Sequence, residues 1–311
     1  MGSSRWSDDA YYDRVSSKMA SHGDSFSHTE DIKLGRASGV HQSLDPLNLR
    51  VRESRDSDAH PESNAIVVWL DVTGSMSRVV RQIHASLPRL MNMLTGRNLI
   101  DHPQILFGAV GDATQGDRGP LQIGQFESGA EMEGDLGNFW LENGGGGGIP
   151  QESYELAAFA TARHTSIDCF ERRNRKGYVF FIGDEMTYPF VSKMQVKELL
   201  GEDISENVPT TQIFNELKDM YNVFFILPTD GAHGREEGIS NYWHTLVGAD
   251  HILRLEDPSN AADLIAAQIG VCEGRTTIEA LREGEMAVAS SVLSCVSCDL
   301  ATISGPVADN L

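Results

Sequence analysis

The sequence predicts an α/β fold in which a doubly wound, mostly parallel sheet carries helices on both faces. Two observations predict it. Short, continuous apolar runs rich in β-branched and aromatic residues recur along the chain, and segments with apolar residues at helical spacing alternate with them. Continuous apolar strands are typical of parallel sheets that are covered on both sides.

Six strands are predicted from these runs. The first, Ile66–Leu70, is apolar throughout, and the runs at 177–182 and 222–227 are similar, which indicates central positions in the sheet. The second and third strands are joined by a polar connection, and we expect them to pair as a hairpin with one antiparallel strand at the sheet edge. The predicted strands are 66–70, 104–110, 121–126, 177–182, 222–227 and 251–255.

Six helical segments alternate with the strands. The first runs from Met76 to Leu94, and Pro88 within it predicts a kink because proline cannot donate the helical hydrogen bond. The second begins near Tyr154, after Pro150 and with acidic residues in its first turn, as helix starts require. The remaining helices are predicted at 191–200, 210–221, 239–247 and 258–271.

The composition is that of an acidic soluble protein. The 311 residues include 45 acidic and 25 basic side chains, and the formal net charge is -20. Such a charge repels phosphate backbones and anionic lipids, so we expect no nucleic acid and no membrane as partner. No apolar run approaches the roughly 20 residues that cross a bilayer, and the first 21 residues lack an apolar signal core. We therefore expect a cytoplasmic protein.

The chain is predicted to have three parts. Residues 1–60 contain few apolar positions and are expected to form an extended N-terminal arm. Residues 61–274 form the α/β domain, and residues 275–311 form either a tail or a short docked helix around 277–283. Cys295 and Cys298 have the spacing of a zinc or redox pair, but no second pair follows, which argues against either role.

Aspartates follow three of the predicted strands, at positions 71, 112 and 184. Because the carboxyl ends of parallel strands lie at one edge of the sheet, we expect these side chains to converge. Asp71, Thr73 and Ser75 alternate along an extended turn, so their oxygens can share one ion. Mg²⁺ prefers oxygen ligands and keeps several waters, so few protein groups suffice. The alternative is that each aspartate only caps the helix that follows it.

Asp71-x-Thr73-x-Ser75 after a buried strand resembles the metal-ion-dependent adhesion site of von Willebrand factor A (VWA) domains. The resemblance covers about residues 64–271 and implies a Rossmann-like fold. It also implies that Asp184 completes the metal shell together with a threonine from a later loop. The threonine's place falls at or near Glu152, so Glu152 is the expected ligand, with Ser153 as the fallback.

The resemblance implies a non-enzymatic, metal-dependent protein-interaction module. Mg²⁺, or alternatively Ca²⁺ or Mn²⁺, would offer one coordination position to an Asp or Glu of a protein partner. An AAA+ ATPase or the subunits of a larger assembly are the partners that the family implies. A carboxylate at position 152 would neutralise more of the metal's charge and weaken its pull on an acidic partner. Asp112 would then act behind the direct ligands.

Two other functions stay open. The chain could be a structural assembly component in which the metal only stabilises the loops. Alternatively, Asp71-Val-Thr-Gly-Ser75 is close to the Asp-Lys-Thr-Gly-Thr segment of some phosphotransferases of the haloacid dehalogenase superfamily, in which the aspartate is a nucleophile. Against that chemistry, no lysine stands at a matching strand end, and Gly183-Asp184-Glu185 lacks the paired aspartates that the superfamily has after its distal strand.

Overall fold

A computed structural model describes residues 4–47, 50–142, 150–229, 231 and 233–282, without the side chain of Ser75. The strands are β1 (Arg52–Ser54), β2 (Asn64–Asp71), β3 (Pro103–Val110), β4 (Leu121–Ile123), β5 (Gln151–Glu152), β6 (Thr165–Ile167), β7 (Gly177–Ile182), β8 (Met186–Thr187), β9 (Phe190–Val191), β10 (Val208–Pro209), β11 (Tyr221–Pro228) and β12 (Ile252–Leu255). The helices are α1 (Asp8–His22), α2 (Ser27–Lys33), α3 (Ser77–Ala85), α4 (Leu87–Met91), α5 (Glu131–Gly137), α6 (Tyr154–His164), α7 (Asp168–Glu171), α8 (Lys193–Leu200), α9 (Thr210–Met220), α10 (Glu237–Val247), α11 (Ala261–Cys272) and α12 (Ile278–Arg282). Three 3₁₀ turns, Gly74–Met76, Ala249–His251 and Pro258–Asn260, and a π-helical segment, Asn92–Gly96, join them.

The centre of the protein is a mixed six-stranded sheet in the order β12-β11-β7-β2-β3-β4. The first five strands are parallel, and β4 runs antiparallel to β3 at the edge. The predicted edge hairpin is therefore confirmed. Strands β2 and β7 are neighbours, with Leu70 opposite Ile182, so the strand ends that carry Asp71 and Asp184 lie side by side as expected.

The two faces of the sheet belong to two separate apolar clusters. Val68 and Leu70 of β2 pack with residues of α3, α4 and α11, whereas Val67 and Trp69 pack with residues of α6, α9 and α10. All eight residues of β2 are buried, as the continuous apolar run predicts. Trp69 lies so close to β3 that a Cβ atom at Gly108 would stand 2.3 Å from its ring, so only glycine fits there.

The N-terminal segment differs from the extended arm that the sequence predicts. It contains α1 and α2, and Tyr11, Phe26 and Leu44 are buried in the same cluster as one face of the sheet. The Tyr11 hydroxyl also donates to the backbone oxygen of His84 at 2.9 Å. Apolar residues are few in this segment, but these three are placed where they reach the domain, which an argument from average composition overlooks.

Charged pairs fix the same segment to the domain. Lys18 of α1 contacts the buried carboxylate of Glu133 in α5 at 3.0 Å. Arg81 of α3 makes two hydrogen bonds of 2.8 Å to Asp24, and its guanidinium lies 5.0 Å from the ring of Phe26. These contacts make residues 4–47 part of the folded body around the sheet.

The first predicted helix is divided into α3 and α4 at Ser86, two residues before Pro88. The docked helix near the C-terminus is present as α12, with Leu281 buried, while residues 283–311, including Cys295 and Cys298, lie outside the described part. Within the described ranges, none of the helices combines the length and the apolar character that crossing a bilayer requires.

Candidate metal centre

The three predicted aspartates lie together at the carboxyl ends of the parallel strands, and this end of the sheet is called the strand-end edge below. Asp71 is the last residue of β2, and Asp112 and Asp184 each stand two residues beyond the ends of β3 and β7. Since β2 lies between β3 and β7, all three side chains occupy neighbouring strand ends. Each of the three residues is fully buried, so the edge holds carboxylates away from bulk water.

Asp71 is held by hydrogen bonds on both of its oxygens. Its Oδ1 accepts from the backbone nitrogen of Thr73 at 2.9 Å and from the Thr73 hydroxyl, and its Oδ2 accepts from the Tyr154 hydroxyl at 2.7 Å. Burial raises the pKa of Asp71 to about 6, and the charge of Asp184 adds to this, while the hydrogen bonds oppose it. Ser75 lies in the 3₁₀ turn that leads into α3, but its side chain is outside the described part.

Among the acidic side chains at this edge, Glu152 has the fewest hydrogen-bond partners in the described part of the chain. It is fully buried, and β5 places it opposite Thr187 of β8, next to the loop that carries Asp184. Neither of its carboxylate oxygens has a hydrogen-bond partner among the described residues. Burial raises the pKa of Glu152 to about 11, and the negative charges of Asp71 and Glu185 contribute to the increase. A buried carboxylate without a partner is costly, and a bound cation would remove that cost.

Asp184 and Glu185 form the side of the edge nearest to the loop after β11. The Oδ2 atom of Asp184 accepts a long hydrogen bond of 3.3 Å from the backbone nitrogen of His233. Gly231 packs directly on Asp184, because a Cβ atom there would lie 2.5 Å from that oxygen. Burial and the charges of Asp71 and Asp184 raise the pKa of Glu185 to about 7. Glu185 was not among the predicted ligands, although its position directly after Asp184 was a signal.

The side-chain oxygens of Asp112 and Ser153 already accept hydrogen bonds from backbone amides of a loop. Asp112 accepts from two backbone amides of the turn that follows it and from the Tyr188 hydroxyl at 2.9 Å. The Ser153 hydroxyl accepts from the backbone nitrogen of Ala113 at 3.0 Å. Of the two groups at the place where the resemblance implies a threonine, Glu152 therefore has the unused oxygens.

Tyr154 is a part of the site that the sequence did not indicate. It is fully buried, and its ring packs edge-on against Trp243 with the ring centroids 5.4 Å apart. Its hydroxyl approaches Gly183 so closely that a Cβ atom there would stand 1.8 Å away. A tyrosine at the first residue of a helix is usually a core residue, so no pattern in the sequence singles it out.

The residues at this edge suit a hard divalent cation. Asp71, Glu152 and Asp184 supply carboxylate oxygens, Thr73 supplies a hydroxyl, and the unpartnered oxygens of Glu152 show where positive charge is lacking. In the part of the chain that is described, no three His, Cys, Asp or Glu side chains already form a metal cage.

No protein-family model and no curated protein matches the sequence. Solved structures that align with it include the pilus adhesin SpaC from Lactobacillus rhamnosus GG, at 11% identity and a TM-score of 0.45, covering 71% of this chain and 30% of that one. Proximal thread matrix protein 1 from the mussel byssus aligns at 12% identity and a TM-score of 0.43, covering 68% of this chain and 48% of that one. The chain thus spans less than half the length of either protein. At these scores the likeness supports no conclusion about function.

Proposed function

We propose that this chain is a metal-dependent protein-interaction module with a doubly wound, Rossmann-like domain of the von Willebrand A type. Its strand-end site would hold Mg²⁺ through Asp71, Thr73, Ser75, Asp184 and Glu152. The bound ion would take up a carboxylate of a protein partner, in the cytoplasm and within a larger assembly such as one built around an AAA+ ATPase. The chain would carry out no catalysis of its own.

The observation that carries this proposal is the pair of unpartnered oxygens of Glu152. Buried polar groups are normally hydrogen-bonded, and a native exception calls for an explanation such as an ion that the site takes up. Here the exception lies beside Asp71 and Glu185, whose charges make the local environment more negative still. A divalent cation attracts all of these carboxylates at once, whereas a single hydrogen-bond donor meets only one of them.

The residues around the ligands have a clear role in this scheme. Tyr154 and the Thr73 backbone amide fix the orientation of Asp71, and Gly231 allows the loop after β11 to approach Asp184. When bound, the cation supplies a Lewis-acidic position to which an acidic side chain can coordinate. The protein groups keep water away from that position, which strengthens the electrostatic attraction.

One observation favours a second candidate function, in which the metal only stabilises the loops. Asp71, Glu152 and Asp184 are fully buried and Thr73 is 6% exposed, so a partner carboxylate has little direct access to them. Three carboxylates also more than neutralise one divalent ion, which weakens the attraction to a further carboxylate. In this alternative the chain is a structural assembly component that needs the metal for its shape alone.

The two functions are separated by measuring metal binding and carboxylate capture independently. Mg²⁺, Ca²⁺ and Mn²⁺ are titrated calorimetrically into the chelator-treated protein, and peptides that carry a single Asp or Glu are tested for capture with metal and with chelator. Asp71→Asn should abolish both signals. Asp263→Asn is the matched control, because Asp263 is also fully buried but pairs with Arg89 at 2.7 Å.

Each outcome has a defined meaning. Metal binding with metal-dependent capture supports the interaction module, and metal binding without capture supports loop stabilisation. If the wild-type protein binds none of the three cations, both proposals are wrong. Formation of a beryllofluoride adduct at Asp71 would instead identify a phosphotransferase.

A further inference from the structure

A cavity lies at the end of the sheet opposite the candidate metal centre. Its volume is about 450 Å³, within the range of small-molecule sites. It lies beside Pro103, the first residue of β3, whereas the metal centre lies beyond the carboxyl ends of the parallel strands. Arg5 and Trp6 of the N-terminal segment form one wall, so the packing of that segment on the domain helps to shape the cavity.

The backbone around this cavity departs from regular geometry in three places. Asn92 and Thr95 belong to the π-helical segment, a rare conformation that is frequent at functional sites. Asn98 and His102 also line the cavity and have φ angles of 56° and 46°. Non-glycine residues with positive φ are uncommon, and such conformations cluster where ligands bind. The irregular backbone therefore marks the same place as the cavity.

His60 presents an unused hydrogen-bond acceptor in this wall. Its Nε2 atom lies 2.7 Å from the backbone oxygen of Ser4, and because a carbonyl only accepts, Nε2 carries the proton. In the neutral ring, Nδ1 is then a lone-pair acceptor. Nδ1 is buried and has no hydrogen-bond partner among the described residues, in a side chain that is 8% exposed. A ligand with an N–H or O–H group would satisfy it.

Arg5 gives the cavity wall one guanidinium that an anion can meet. Arg5 is exposed and makes no ion pair within the described ranges. The acidic lining residue Asp101 already accepts from Arg275, which offsets its negative charge. Aromatic rings complete the wall: Trp6 lies beside the cavity, and the rings of His60 and His102 meet edge-on with centroids 5.6 Å apart.

From these features we propose that the cavity binds a small heteroaromatic anion of the nucleoside monophosphate class. The base would lie among the aromatic rings and donate a hydrogen bond to Nδ1 of His60, and the phosphate would pair with the Arg5 guanidinium. Binding of one free nucleotide differs from binding of a nucleic acid, since a single phosphate meets one arginine rather than the field of the whole acidic surface. The proposal is independent of the metal centre.

The test uses the full chain with adenosine, guanosine, cytidine and uridine monophosphates and their nucleosides as probes. Affinity is measured by calorimetry and by saturation-transfer NMR on the ligand. We expect at least one nucleotide to bind and its nucleoside to bind at least tenfold more weakly. Arg5→Gln should weaken the nucleotide at least tenfold and leave the nucleoside unchanged.

A second variant tests the cavity itself without touching a buried residue. Thr95 is exposed at the rim, so Thr95→Trp should fill the space and weaken binding at least tenfold while the fold persists. Thr245→Trp, at an exposed position of α10 outside the cavity, should have no effect. If no nucleotide binds the wild-type protein at millimolar concentration, or if Arg5→Gln and Thr95→Trp leave binding unchanged, the proposal is wrong.

Discussion

Replacing Glu152 by leucine should make the protein more stable without metal and less responsive to metal. The side chain is fully buried and both carboxylate oxygens lack hydrogen-bond partners in the described part of the chain. Leaving one buried polar group unsatisfied costs about 1–3 kcal/mol, and an apolar side chain of similar size does not carry that cost. We therefore expect Glu152→Leu to raise the free energy of unfolding in chelator by about 2 kcal/mol.

In excess Mg²⁺ the wild type should have a larger free energy of unfolding than the Glu152→Leu variant, which is the reverse of the order in chelator. A ligand at one hundred times its Kd stabilises the folded state by about 2.7 kcal/mol, and the wild type should gain this amount from Mg²⁺. The variant has lost a ligand and should gain much less, so the wild type becomes the more stable protein. Urea unfolding followed by circular dichroism, in chelator and in excess Mg²⁺, measures both differences.

Glu133→Leu is the matched control for this experiment. Glu133 is also fully buried, but it pairs with Lys18 at 3.0 Å and lies 3.3 Å from His84. Removing one member of a buried charged pair costs about 3 kcal/mol, so this variant should be less stable in both buffers by the same amount. If Glu152→Leu is also less stable than the wild type in chelator, the side chain makes favourable contacts and our reasoning fails.

Three further predictions concern other positions. Tyr154→Phe removes the hydroxyl that bonds Asp71 and should weaken Mg²⁺ binding about tenfold, measured by calorimetry. Gly231→Ala would place a Cβ atom 2.5 Å from Oδ2 of Asp184 and should also weaken Mg²⁺ by displacing that carboxylate. Burial raises the pKa of Asp135 from 3.8 to about 6, so the fold loses stability as pH rises from about 4 to 6. Asp135→Asn should therefore stabilise the protein at pH 7 by at most about 3 kcal/mol and have no effect below pH 4, as urea titrations would show.

Controls separate these effects from general damage. Tyr221→Phe removes another buried phenol, which bonds Thr165 instead of Asp71, and should leave Mg²⁺ affinity unchanged. Gly238→Ala adds a Cβ atom with nothing within 4 Å and should be neutral for Mg²⁺. Equal losses in a variant and its control would contradict the specific contact. A gain from Asp135→Asn that is the same at pH 4 and pH 7 would rule out a titrating carboxyl.

The parts of the fold that the sequence predicts well are those with a strong local pattern. The run from Ile66 to Leu70 indicates a central strand because a strand that is covered on both faces has apolar residues at consecutive positions. The neighbouring positions of Asp71 and Asp184 follow from the same reasoning. Both aspartates follow continuous apolar strands, and such strands are expected at the centre of the sheet, where both faces are covered. Boundaries set by tertiary contacts were predicted less well: Phe190 and Val191 form a strand where a helix was expected to begin.

The N-terminal segment and the details of the site depend on contacts between distant residues. Tyr11 and Phe26 are single apolar positions in a polar sequence, and only the folded domain shows where they pack. Sequence position suggested Glu152 as a ligand, but its unpartnered oxygens became visible only with its surroundings described. The Tyr154 hydroxyl on Asp71 had no sequence signal at all, because a buried tyrosine has the same local pattern whether or not its hydroxyl has a role.

The packing of the N-terminal segment also bears on the order in which the chain folds during synthesis. The ribosome makes this segment before the domain, yet the group that accepts from Tyr11 is 73 residues further along the chain, and the carboxylate that pairs with Lys18 is 115 residues further. Contacts of such long sequence separation form late because loop closure precedes any gain from them. The nascent helix α1 must therefore wait, with its apolar side chains uncovered, until α3 and α5 have emerged.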